Sequence, residues 1–323
     1  MSDAIPLAPF PLAARAPGKC IVFGEHAVVH GGPELALAID LELQVGLRSA
    51  PEFQLGGEAA AARDHPYLQA ARRTLWDDAY GGVAVEVVSR IPRAAGLGSS
   101  AAFCAALATG LSAARGGIER SMLAERAFAV ERGAQGVGSP GDTSAVVAGG
   151  YVAINGGGGA ILWELKDEAR TWRVRRVADP GWLWFVASSG VPRSTATAVR
   201  AVSARLAQVD GPKLLERFAD VATRGIDAVA REDRAAIGPL LNENHALLQE
   251  VGVSHPRVEA LRDALLPAAE GVKITGAGAG GSVVALIRPG QEVDAVRRAR
   301  SVGGRGYVVR ASPHGARLVT SGR

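Results

Sequence analysis

The stretch "PRAAGLGSSAAF", residues 92–103, constrains this chain more than any other. It joins a β-like run, "GVAVEVVS", to a run of small residues, "AAFCAALATGLSAA", that reads as a helix. A helix N-terminus leaves backbone N–H groups unpaired and carries a partial positive charge, so it attracts anions. Glycines in the lead-in let the backbone approach such an anion, and serines at the start cap the helix or hold a metal. The pattern therefore predicts strand, loop and helix N-terminus in series, with either a bound anion or a well-capped helix at the junction.

The rest of the chain mixes strands and helices without regular βαβ repetition. Residues 13–24, 36–49 and 82–89 read as strands. A helix is predicted over 118–136, with Ile118, Met122, Ala127 and Val130 on its apolar face. "GSPGDTSAVVAGG" is too rich in Gly, Pro and Ser to be regular at its start, and "YVAINGGGGAILWEL" reads as a hairpin closed by a glycine turn. After "ADPGW" comes a strand, two long helical patterns at roughly 194–230 and 232–268, a strand–turn–strand over 272–287, then a helix and a strand. The reading is an α+β chain of two domains, 1–180 and 181–323, with the boundary near 178–184. A length of 323 residues suits that division.

Several function classes are disfavoured. No apolar run approaches the ~20 residues of a membrane span, and the N-terminus lacks the charged and apolar regions of a signal peptide. Only Cys20 and Cys104 are present, which argues for a cytoplasmic protein and against a disulfide framework or a cysteine-based zinc site. The net charge of +4 would suit an acidic partner. The arginine-rich segment 294–310, however, interleaves only Tyr307 and reads as a solvated helix face followed by a strand, not a nucleic-acid footprint. Gly276, Gly278 and Gly281 satisfy a GxGxxG pattern, but a strand follows it where a dinucleotide fingerprint needs a helix. His26 and His30 flank no HExxH order and lack a third ligand.

Three stretches cohere instead. "APGKCIVFGEHAVVHGG" (16–32) places Lys19, Glu25 and His26 around a strand too polar for a mere core element. "GLGSSAA" (96–102) is the anion loop, and "VKITGAGAGG" (272–281) is a second glycine turn able to bring amides to an oxyanion. Acidic Glu131 and Asp142 lie between them. In order and spacing these resemble the three signature motifs of the GHMP kinases, the family of galactokinase, homoserine kinase, mevalonate kinase and phosphomevalonate kinase. The resemblance covers nearly the whole chain. "GKCIVFGEHAVVHGGPELALAI", "VPRSTATAV" and "LLNENHALLQEVGVSHPRVEAL" are similar to the mevalonate kinase branch, in its archaeal-type form.

The resemblance implies an N-terminal domain like ribosomal protein S5 domain 2 and a ferredoxin-like C-terminal domain, with the active site between them. Backbone amides of Gly96, Leu97, Gly98, Ser99, Ser100 and Ala101 would cradle the ATP phosphates. Ser100 and Glu131 would hold Mg²⁺, a hard cation suited to a hydroxyl, a carboxylate and phosphate oxygens. Asp142 would face the attacking hydroxyl with Lys19 beside it; at ~4 Å and an effective dielectric of ~20 such a pair attracts by about 4 kcal/mol. Glu25, His26, Thr195 (or Ser194), Gly278 and Ala279 would contact the acceptor, mevalonate. A homodimer without nucleic-acid or membrane partners is implied. One departure stands out: many relatives read "PSGxDN" around the aspartate, whereas this chain reads "SPGDTS". Alternatives are a phosphomevalonate kinase, for which Arg193 is the only obvious extra cation in the matching segments, and a non-catalytic S5-like RNA-binding protein. His245 and His255 read as helix caps or surface residues.

Overall fold

The computed structural model describes residues 12–319 except 93, 94, 118, 137, 168, 169, 193 and 194, and of Asp78, Thr195 and Ala196 only the backbone. Strand β1 (Leu12–Phe23) pairs antiparallel with the long β2 (Glu34–Ala50). A two-residue β3 (Gln54–Leu55), helices α1 (Ala59–Asp64) and α2 (Pro66–Leu75), and β4 (Gly82–Ser89) follow. Next come α3 (Ser99–Ala114), α4 (Arg120–Gln135), α5 (Gly141–Ala148), β5 (Tyr151–Ile154), β6 (Ile161–Lys166) and β7 (Thr171–Val177). The strands form one eight-stranded sheet with β12 (Arg317–Leu318), in the order β12-β1-β2-β5-β7-β6, with β4 also on β2 and β3 on β4.

A second sheet has four strands, ordered β11-β8-β10-β9, from β8 (Trp184–Ser188), β9 (Ala269–Thr275), β10 (Ser282–Ile287) and β11 (Arg305–Val309). Helices α6 (Thr195–Leu206), α7 (Gly211–Ala230), α8 (Arg234–Glu250), α9 (Pro256–Leu265) and α10 (Glu292–Ser301) belong with it. This is the α+β, two-body architecture expected from the motifs. We propose a domain boundary between β7 and β8, near 178–184.

Helix α3 is the pivot of the first body. It is buried on nearly every face, packed against β1, β2, α4 and α5. That burial is possible because Ala and Gly dominate it: a Cβ on Gly110 would stand 2.5 Å from the side chain of Leu47. A buried helix feels a low dielectric along its length, which strengthens the positive end it presents at Ser99.

Four local expectations are corrected by long-range packing. The 151–165 segment is not a hairpin: β5 pairs with β2 and β7, and β6 pairs with β7, so β7 inserts between the two. The helical stretch 194–230 is two helices, broken around Asp210, Gly211 and Pro212; that of 232–268 breaks at Gly252, whose φ is +77°, before Pro256. Met122 is 47% exposed, so it is no part of α4's buried stripe, while Ile118 lies outside the described residues. "GSPGDTSAVVAGG" is irregular over 138–140, as expected, and helical from Gly141. No helix among the described residues is long and apolar enough to cross a membrane.

The two bodies are joined by buried polar contacts. Thr275 Oγ1 accepts from the Ile21 N–H at 2.8 Å and donates to the Ile21 carbonyl at 2.9 Å. Ser282 donates to the Ala95 carbonyl at 2.7 Å. Gly225 of α7 lies so close to Phe23 that a Cβ there would stand 2.4 Å from the ring. The glycine turn of β9–β10 is thereby held over the end of β1.

Candidate functional site

The anion loop is seated on β1 by two missing side chains. A Cβ on Gly18 would stand 2.8 Å from the Leu97 carbonyl, and one on Gly98 would stand 2.6 Å from Lys19 Cγ. In that space the Lys19 N–H donates to the Leu97 carbonyl at 3.0 Å. Gly96 and Gly98 have φ of +81° and +77°, a region that L side chains rarely occupy. Gly98 is the N-cap of α3, and among the described residues no side chain caps this helix. The N–H groups of Ser99, Ser100 and Ala101 therefore lack an intrahelical acceptor, which favours the anion reading over the capped-helix one. Replacing Gly98 with Ala should cost about 1–2 kcal/mol in backbone strain alone. By displacing Lys19 it should also lower turnover by about 10²-fold. Thermal unfolding and steady-state rates together check this; a normal rate would mean that Lys19 needs no such seat.

Lys19 is almost completely buried, and its ammonium lies 2.7 Å from Asp142 Oδ1. Asp142 stands in the first turn of α5 with its side chain one-third exposed, so this pair forms the floor of an open cleft. Across the cleft, Ser100 Oγ donates to Glu131 Oε1 at 3.0 Å. Gln135 donates to the same oxygen at 3.2 Å and to the Tyr67 hydroxyl at 3.1 Å. Burial, then the nearby Asp142 charge, pushes the Glu131 carboxyl up to about 8. A dication placed between Ser100 and Glu131 would reverse that tendency, because it would favour the carboxylate. Among the described residues no cluster of three or more His, Cys, Asp or Glu forms a protein-only metal cage. One hydroxyl and one buried carboxylate nonetheless suit a magnesium ion that takes its other oxygens from phosphate and water.

At the other end of the cleft, Glu25 and His26 leave β1 through a tight turn. His26 has φ +65°, an uncommon conformation for a non-glycine residue, and its buried side chain lines the cleft. Glu25 Oε1 is bound by the Lys273 ammonium from β9, both side chains being essentially inaccessible. Burial pushes Glu25 up and Lys273 down, and each is drawn back by the other. The second Glu25 oxygen has no hydrogen-bond partner among the described residues.

The third glycine turn reaches the cleft through Gly276 and Ala277. Gly278 and Ala279 stand behind them: the Ala279 N–H donates to the Val253 carbonyl at 2.6 Å, and a Cβ on Gly278 would stand 2.6 Å from that carbonyl. Ser194, Arg193 and the side chain of Thr195 lie outside the described residues; Val199, on the same helix, lines the cleft. His255 caps α9, its Nδ1 accepting from the Arg257 N–H at 3.1 Å, as read from sequence. His245 is neither cap nor surface. It is buried, its Nδ1 accepts from the Ile274 N–H at 3.3 Å, and its Nε2 lies 3.1 Å from Glu259. Lys273 and Glu34 were not singled out by sequence, although a charged residue in "VKITGAG" and another heading the apolar run "ELALAI" were the available signals.

A family model described as GHMP kinases N terminal domain matches residues 65–150, and a second, GHMP kinases C terminal, matches residues 226–302. The chain is similar to the mevalonate kinase of Archaeoglobus fulgidus, with 31% identity over 291 residues covering 86% of this chain and 93% of that one. It is 31% identical to the mevalonate kinase of Aeropyrum pernix over 327 residues, 94% of this chain and 97% of the other. Among solved structures, L. major mevalonate kinase in complex with R-mevalonate matches with a TM-score of 0.77, 22% identity and coverage of 98% and 100%. That last likeness speaks for the fold.

Proposed function

The chain belongs to the GHMP kinase family, and from that premise we infer how its cleft works: it transfers the γ-phosphate of ATP to the C5 hydroxyl of mevalonate. The observation that carries the reading is the Lys19–Asp142 pair set between an uncapped helix N-terminus and an open cleft.

The ATP phosphates rest on the amides of residues 96–101, where the buried α3 presents its positive end. Ser100 and Glu131 would hold Mg²⁺, which when bound neutralises charge on the phosphate oxygens. Asp142 accepts a hydrogen bond from the C5 hydroxyl and aims its oxygen at the γ-phosphorus. The new bond forms between that oxygen and phosphorus while the bond to the ADP leaving oxygen breaks. A carboxylate is a weak base for an alcohol, but a loose phosphoryl transfer lets the proton leave late, onto Asp142. Lys19 stands beside Asp142 and stabilises charge on the transferring group. Glu25 and His26 line the acceptor end, and Thr195 sits on the segment that closes over it. We place the enzyme in the cytoplasm, consistent with its two free, buried thiols. The family resemblance supports a homodimer.

Release of ADP from Mg-ATP, with mevalonate, phosphomevalonate, homoserine and galactose offered separately, tests the reading. Turnover on mevalonate alone is expected. Turnover on phosphomevalonate alone would reassign the acceptor pocket, and silence on all four would leave only a phosphate-binding site.

A further inference from the structure

Glu34 opens β2 at the floor of the cleft, 1% exposed, and no role in the motifs reaches it. Its placement is built into the surrounding backbone. A Cβ on Gly24 would stand 2.2 Å from the Pro33 carbonyl and 2.6 Å from Glu34 Cα, so that glycine lets the Glu25 turn press against the head of β2. A Cβ on Gly141 would stand 1.8 Å from Glu34 Oε1. Gly141 shows no positive φ, so what a side chain there would meet is the end of the Glu34 carboxyl and not a backbone constraint. The carboxyl of Glu34 thus fills the place of a side chain next to Asp142.

That carboxyl is expensive where it stands. Oε1 has no hydrogen-bond partner among the described residues. Burial and the neighbouring Asp142 push its pKa well up, Lys19 pulls it down, and Glu25 and Lys273 add opposite, smaller effects. A carboxyl serving structure alone would have its oxygens satisfied by the protein, because a buried unpaired acceptor is costly. One buried without a partner in the wall of a cleft is completed by what the cleft binds.

We propose that Glu34 is a specificity-determining residue that receives the second hydroxyl of a 1,3-diol acceptor. This rests on the mevalonate reading, in which the attacking C5 hydroxyl sits at Asp142. The tertiary C3 hydroxyl is the other oxygen of the same 1,3-diol, and it supplies the donor that Oε1 lacks. A site built to bond a substrate hydroxyl rejects the analogue without it, because its own polar group then stays unpaired.

The test compares mevalonate with its 3-deoxy analogue, 5-hydroxy-3-methylpentanoate, as acceptors for the wild type, Glu34→Ala and Glu34→Gln. In the wild type, kcat/KM should fall roughly tenfold to a hundredfold from mevalonate to the analogue. Glu34→Ala should lose that discrimination, with the loss on mevalonate appearing mainly in KM for the acceptor and not for ATP. Glu34→Gln, which keeps an oxygen acceptor in place, should retain it. If the alanine variant does not fold, Glu34→Leu, which fills the volume without an acceptor, replaces it. Wild-type discrimination persisting without the carboxyl, or equal losses on both acceptors, would overturn the proposal while leaving mevalonate as substrate. A wild type inert towards mevalonate would overturn the substrate reading and this proposal together.

Discussion

Asp142→Asn should reduce kcat on mevalonate by about 10²–10⁴-fold, the usual contribution of a positioned acid–base group, while leaving ATP affinity within a few-fold of normal. The asparagine side-chain oxygen still accepts from the Lys19 ammonium, which sits 2.7 Å from Asp142 Oδ1, so the floor of the cleft keeps its shape. What the proposed mechanism loses is the negative charge that holds the acceptor hydroxyl and takes its proton. Steady-state rates with an independent nucleotide titration separate the two effects. A loss below about tenfold would remove Asp142 from the reaction and leave it as a partner for Lys19 alone. A matching collapse of ATP affinity would show that the substitution disturbs the phosphate loop.

Glu25→Gln should destabilise the folded protein by about 3–5 kcal/mol, because it removes the charge paired directly with the buried ammonium of Lys273. The two residues come from different bodies, 248 positions apart, so the effect falls on the junction that shapes the cleft. Adding Lys273→Met removes the orphaned charge, and much of the stability should return, since replacing both members of a buried pair is far less costly than removing one. Thermal unfolding of the two single variants and the double variant forms the cycle. Equal stability in Glu25→Gln and wild type would mean that the pair is not charged in the folded protein.

The chemistry-bearing motifs were readable because their signals are local. Gly96 and Gly98 adopt positive φ within five residues of one another, and the helix they introduce is announced by the alanine run behind them. Glu131 and Ser100 stand on two helices whose types follow from composition, and the sequence order of the motifs matched a family pattern. Lys19 and Asp142, 123 positions apart in the chain, were paired only through that resemblance. Less was legible at the acceptor end. Glu34 looks like a stray charge at the head of an apolar strand, and its carboxyl lies against Gly141, over a hundred residues away.

By itself, then, the sequence determined the element types, the two-body α+β class and the glycine loops, since φ preferences, periodicity and helix termini act over a few residues. Only the tertiary structure decided which elements meet. It inserted β7 between β5 and β6, returned residues 317–318 to the first sheet beside β1, and buried His245 against β9. It also gathered Lys19, Glu25, Glu34 and Lys273 under one cleft. Strand partners and buried charges are chosen by the packing of whole faces and by mutual compensation across the chain. No local pattern carries those choices.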